Sequence, residues 1–185
     1  IHFHSGVKQG CPLSPLLFLL VMDVLDWLLT TYTGCDVRMY ADDTAIGKIN
    51  LTYKLFTIKK CFEVFAEYSG LHLNVSKTIC VSTYNQTNLR NTLNRIGWDK
   101  VSVSGSTTYL GLKIGHLVTL DDIFSPVRKK FLDRLRDFAT VKYDLSLDKR
   151  VTTWNTWLLP VFSFVSKFYQ IPPDYVAEID RERDA

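Results

Sequence analysis

The stretch VRMYADDTAI, residues 37–46, decides how this chain is read. Two short strand-forming runs flank the neighbouring carboxylates Asp42 and Asp43: Val37, Met39 and Ala41 lead in, and Ala45 and Ile46 lead out. Successive side chains on a strand point to opposite faces, so adjacent acids within one strand are a poor way to build a shared site. At the tip of a tight hairpin the backbone turns, and both carboxylates can be aimed to one side. Two anions that close repel each other unless cations sit between or beside them, and oxygen ligands of this kind suit Mg²⁺ or Mn²⁺. Apolar strands ending in an acidic tip amount to a rigid mount for a metal. Asp-Asp is also an ordinary turn dipeptide that needs no metal on a solvated hairpin, so the decision falls to the residues around it.

Upstream, Ser5, Gly6, Gly10 and Pro12 punctuate a turn-rich entry. Ser14 and Pro15 read as an N-cap and first helical residue. The run PLLFLLVMDVLDWLLTTY then predicts a helix of about four turns, closed by Gly34. Its most apolar part is too short to span a bilayer and is interrupted by Asp23 and Asp26, so the sequence predicts a core helix and no membrane partner. Downstream, Leu55, Ile58, Phe62 and Phe65 recur at helical steps, with Gly70 placed to end that helix. LHLNVSKTICVST returns toward strand character, 85–100 is a polar segment, and VSVSG and TTYLGLKIG are strand-like. After Leu117 the texture changes. SPVRKKFLDRLRDFAT is amphipathic, with Val127, Phe131, Leu135 and Phe138 near one face. The rest reads as helical and rich in Trp, Phe and Tyr, broken at Pro160 and Pro172–Pro173. Trp154, Trp157, Phe162, Phe164 and Phe168 are placed in a helix-bundle core. The expected boundary lies near 115–120, between an α+β unit (1–117) and a mostly helical one (118–185).

Composition sets outer limits. With 185 residues, 46% of them hydrophobic, the chain buries a core, and a charged fraction of 22% argues against global disorder. The net charge is only +3, from 22 Lys and Arg against 19 Asp and Glu, so any basic surface for nucleic acid must come from local clustering. The four cysteines, Cys11, Cys35, Cys61 and Cys80, form no CxxC pair. That argues against a zinc ribbon or redox motif and predicts free buried thiols in a reducing compartment, nuclear or cytoplasmic. His2, His4, His72 and His116 are scattered and are not read as ligands. The chain starts at Ile1 and reads as a piece of something longer.

GVKQGCPLSPLLF at 6–18, YADDTAI at 40–46, GLHLNVSKT at 70–78 and YLGLKI at 109–114 occur in that order. Together they closely resemble reverse transcriptases of the non-LTR, LINE-like retrotransposon class. LLPVFSFVSKFY resembles the thumb of such proteins, so the likeness runs from residue 5 to about 180. The resemblance implies an α+β fold: a partial polymerase palm, with an antiparallel sheet packed on helices, followed by a mostly helical thumb. It implies RNA-directed DNA polymerisation, with an RNA template, a DNA primer and dNTPs as partners and Mg²⁺ or Mn²⁺ as cofactor.

Residue by residue, the resemblance implies that Asp42 and Asp43 hold the metals and that Tyr40 packs near the primer terminus. Gly6, Gln9 and Gly10 would contact the incoming nucleotide, and Lys77 would lie near the triphosphate. Tyr109, Leu110 and Gly111 match a hairpin that grips the primer strand. In a thumb helix, Arg128, Lys129, Lys130 and Arg134 would contact backbone phosphates. These roles agree with the chemistry of a primer hydroxyl attacking an α-phosphate. Glycine lets backbone approach a nucleotide, Gln9 donates and accepts at once, and Lys77 is a compact cation for charge on a leaving phosphate.

The chain departs from that pattern in lacking the third carboxylate expected well upstream of GVKQG, together with the fingers. The expectation is therefore an inactive fragment that needs the remaining N-terminal part of a polymerase. The alternative is a non-catalytic remnant or a domesticated nucleic-acid-binding module derived from a mobile element. A small-molecule enzyme using the two acids for acid–base work is disfavoured, because adjacent aspartates leave no gap for a substrate or water. The strands at 37–47 are expected to leave exposed sheet edge and to promote self-association.

Overall fold

The structure, a computed structural model, describes residues 10–82 and 86–184. Helix α1 spans Ser14–Thr33, with Pro15 in its first turn and Gly34 in the left-handed conformation at its end, where the Gly34 N–H donates to Thr30 O. At 20 residues it is longer than the predicted four turns. Strands β1 (Asp36–Tyr40) and β2 (Asp43–Gly47) form an antiparallel hairpin in which Val37 faces Ile46 and Tyr40 faces Asp43. A short 3₁₀ turn, Leu51–Lys54, leads into α2 (Leu55–Ser69), which Gly70 closes at φ 72°. Another 3₁₀ turn, Val75–Lys77, precedes β3 (Ile79–Val81).

The polar segment 85–100 holds a helix that its composition does not predict, α3 (Gln86–Arg95), whose only buried residues are Leu89 and Leu93. One apolar residue per turn gives little periodic signal, yet both seat in the core beside Trp98 and Val101. Strand β4 (Ser102–Ser104) pairs with β3, and β5 (Ser106–Tyr109) forms an antiparallel hairpin with β6 (Leu112–Gly115). The helical region consists of α4 (Leu120–Val141), α5 (Leu147–Thr153), a π-helical turn at Trp154–Leu158, α6 (Pro160–Ser163) and α7 (Pro173–Asp184). The fold is thus α+β, with small two-stranded sheets among helices, followed by a mostly helical region.

Two compact units result. Of the described residues, the first comprises 10–80 and 86–103, and the second comprises 81–82 and 104–184, so residues 104–117 group with the helical region. In the first unit, Met22, Leu25 and Leu29 of α1 meet Leu55, Ile58, Cys61 and Phe65 of α2, and Val37 closes the layer from β1. Only one face of α1 is covered this way. Leu16, Leu19, Leu20, Val24 and Trp27 are more than half exposed on the same helix. By length and composition α1 is apolar enough to cross a membrane, a test that core helices also pass, and Met22, Leu25, Leu29 and Thr33 are buried within the unit.

In the second unit, Phe131 packs edge-on to Trp154 and against Phe162, over a core that includes Ile123, Phe124, Phe138, Leu158 and Val165. A capping box starts α4: the Asp122 N–H donates to Thr119 Oγ1 (3.1 Å), and the Thr119 N–H donates to Asp122 Oδ2 (3.0 Å). All four cysteines are free. Cys35 and Cys61 are buried as expected, Cys80 is half-buried, and Cys11 is exposed in the entry turn.

Candidate functional site

The acidic tip forms where the sequence predicts it. Tyr40 and Asp43 are the last paired residues of the β1–β2 hairpin, and Ala41 and Asp42 make its two-residue loop. Two-residue loops follow the twist of the strands when a central residue has positive φ, normally a glycine or asparagine. Here Ala41 takes that place, at φ 52°. The β1 side of the hairpin is anchored by Val37, 5% exposed, while Met39 and Ile46 are partly buried against the same core. Asp42 and Asp43 are both exposed. Neither carboxylate makes a hydrogen bond or ion pair with another described residue. Tyr40 stands beside them, 67% exposed.

Lys77 closes the 3₁₀ turn in the same unit. Its N–H donates to Asn74 Oδ1 (3.2 Å), and Asn74 Oδ1 also accepts from Ser76 Oγ (2.8 Å), so one asparagine shapes the turn that presents the lysine. The Lys77 side chain is exposed. Gly10 is exposed at φ 86°, with nothing within 4 Å of where a Cβ would stand. Gly6 and Gln9, the other expected nucleotide contacts, lie outside the described residues.

In the second unit, Tyr109 and Leu112 pair across the β5–β6 hairpin, leaving Leu110 (φ 47°) and Gly111 (φ 82°) as the loop. Both loop residues occupy the left-handed region, as a tight hairpin of this hand requires. A Cβ on Gly111 would come within 3.4 Å of Phe164, so the loop lies on that ring. Leu110 is 40% exposed.

The four residues of α4 expected to contact phosphates, Arg128, Lys129, Lys130 and Arg134, fall into two kinds. Arg128 makes a two-pronged pair with Glu178 of α7, with both contacts at 2.6 Å, and lies 5.8 Å from the ring centre of Tyr175. Tyr175 in turn donates to Asp121 Oδ1 (2.6 Å), so this cluster ties α7 to the start of α4. Arg134 donates to the carbonyl of Trp157 and sits over its indole, 5.4 Å from the ring centre. Lys129 and Lys130 are exposed on the open face of the helix and make no ion pair with a described residue. That face is mixed in sign, since Asp133 and Arg136 follow there as an ion pair (3.4 Å).

The expected aromatic core is only partly realised. Phe162 is buried and Trp154 is packed, but Trp157, Phe164 and Phe168 are 36%, 44% and 58% exposed. The reason lies in the π-helical turn, where Leu159 N donates to Trp154 O (3.0 Å) across five residues. A wider turn advances each residue by a smaller angle and carries Trp157 off the line that a regular helix would hold.

Among the described residues, no group of three or more His, Cys, Asp or Glu is placed to hold a metal ion. Asp42 and Asp43 have the right donor chemistry for Mg²⁺ or Mn²⁺, but they are an incomplete set. An octahedral ion held by two adjacent carboxylates must draw its other ligands from elsewhere.

The chain belongs to the family described as reverse transcriptase (RNA-dependent DNA polymerase), whose model matches residues 1–114. No solved structure matches it.

Proposed function

We propose that this chain is a nucleic-acid-binding member of the reverse-transcriptase lineage that carries part of a nucleotidyl-transfer centre and does not itself transfer nucleotides. The observation behind this reading is the acidic tip. Asp42 and Asp43 are exposed, and no third ligand group joins them among the described residues. A divalent ion on two carboxylates would rest mostly on nucleotide phosphates and water, and a misplacement of about 1 Å costs roughly 10²-fold in rate. The likeness to non-LTR enzymes gives the finer roles. Tyr40 would lie at the primer terminus, Gly6, Gln9, Gly10 and Lys77 around the dNTP, and Tyr109, Leu110 and Gly111 on the primer strand. The α+β part would serve as palm and the helical part as thumb, with a further polymerase segment supplying the missing carboxylate. Within α4, Lys129 and Lys130 are the phosphate contacts, because Arg128 and Arg134 are engaged within the chain.

The test is to measure binding and extension on one preparation, with labelled poly(rA)/oligo(dT), dTTP and Mg²⁺. The expected result is salt-sensitive binding without extension. Template-dependent extension that disappears in Asp42→Asn would establish full polymerase activity and overturn this reading. Failure to bind the hybrid at low salt would overturn its nucleic-acid part.

A further inference from the structure

Helix α2 has two apolar faces, and the first unit covers one of them. Leu55, Ile58, Cys61 and Phe65 are buried. On the other side Tyr53, Phe56, Lys60, Val64 and Tyr68 follow at steps of three or four residues, which sets them in one stripe along the helical run 51–69. Tyr53 and Tyr68 are each 86% exposed, Phe56 is 59% exposed and Val64 41%. Lys60, in the middle, lies 5.9 Å from the ring centre of Phe56 and bonds Glu63 at 2.7 Å.

The charges along this helix run against its own dipole. Lys54, Lys59 and Lys60 occupy the N-terminal half, and Glu63 and Glu67 the C-terminal half. A helix on its own favours the opposite order. The order does suit a second α2 laid antiparallel, because the basic half of each then faces the acidic half of the other.

We propose that this face is the seam of a symmetric dimer, its occupant being α2 of a second copy of the chain. A two-fold axis crossing the helix near residue 62 sets Phe56 against Tyr68 of the second copy and Lys60 against Glu63 of the second copy, twice over. An interface of this kind is self-complementary, as a closed two-fold pair must be. The four exposed apolar side chains offer on the order of 500 Å² per chain, so the pair buries about 1,000 Å², the lower end for a specific interface. Nucleic acid suits the stripe poorly, since Glu63 and Glu67 would face its phosphates.

Sedimentation equilibrium on the full chain, with folding of each variant checked by circular dichroism, tests the seam. The wild type is expected at twice the 21.3 kDa chain mass. Lys60→Glu alone and Glu63→Lys alone are each expected to be monomers, because like charges then meet across the axis. Mixed one to one they should form a heterodimer. Phe56→Ala should weaken the wild-type dimer by about tenfold or more. A monomeric wild type at about 100 µM would overturn the proposal. So would association that is indifferent to all three substitutions, which would place the contact on another surface.

Discussion

Ala41 shows how single residues set the terms here. Its φ of 52° places a Cβ in the left-handed region, at a cost of roughly 1–2 kcal/mol that glycine would avoid. Ala41→Gly is expected to stabilise the chain by about 0.5 kcal/mol net, because the gain in the loop is offset by a freer unfolded state. A higher urea midpoint at unchanged slope would show it. Asp122 and Glu178 make a pH prediction. The hydrogen bond from Lys113, followed by those from Thr119, holds Asp122 well below the usual carboxylate range. The hydrogen bond from Arg128 likewise lowers Glu178. Both folded-state values lie below the unfolded ones, so their stabilisation is fully present only above the unfolded carboxylate range, from about pH 5 upward, and is lost as pH falls through the depressed values. Melting temperature followed from pH 6 to pH 2 should begin to fall below about pH 5. In Asp122→Asn combined with Glu178→Gln, that fall should be shallower.

At the scale of elements, the cap of α4 is the most exposed point of failure. Thr119→Ala removes the acceptor for Asp122 N–H and is expected to cost about 1 kcal/mol in urea unfolding. The ends of α1 and α2 at Gly34 and Gly70 and the acidic hairpin were written in residues that stand next to one another in sequence, whereas the amphipathic pattern marked α4 only from Ser125 and left its cap at Thr119 unread. Periodicity also marked Phe131 and Phe138 of α4, which are buried. What was not legible depended on distant partners. Helix α3 carries too few apolar residues to announce itself, and is held because Leu89 and Leu93 find Trp98. The π-helical turn breaks the regular spacing on which the placement of Trp157, Phe164 and Phe168 in a core relied. The row of cations on α4 was visible as a row, but Glu178, lying fifty positions away, decides that Arg128 is a structural tie. The acidic tip was therefore readable as a hairpin, and the cations of α4 were readable only as candidates.

At the scale of the molecule, the basic residues of α4 should separate by function. Lys129→Gln with Lys130→Gln is expected to weaken hybrid binding uniformly across sequences and to reduce the salt slope by about two, with little change in stability. Arg128→Gln should instead lower stability, since it leaves Glu178 without its two bonds. Salt titrations of binding, alongside urea curves, distinguish the two outcomes. The β1–β2 hairpin likewise bears on the whole, for its outer edges have no strand neighbour among the described residues, leaving backbone donors and acceptors open to another strand. The acidic tip is proposed as a partial metal mount, and a Mn²⁺ titration followed by paramagnetic resonance tests that most directly. The wild-type chain is expected to bind Mn²⁺ weakly, on the order of millimolar, and Asp42→Asn with Asp43→Asn should abolish that binding. Micromolar binding, or binding that survives loss of both carboxylates, would contradict the account.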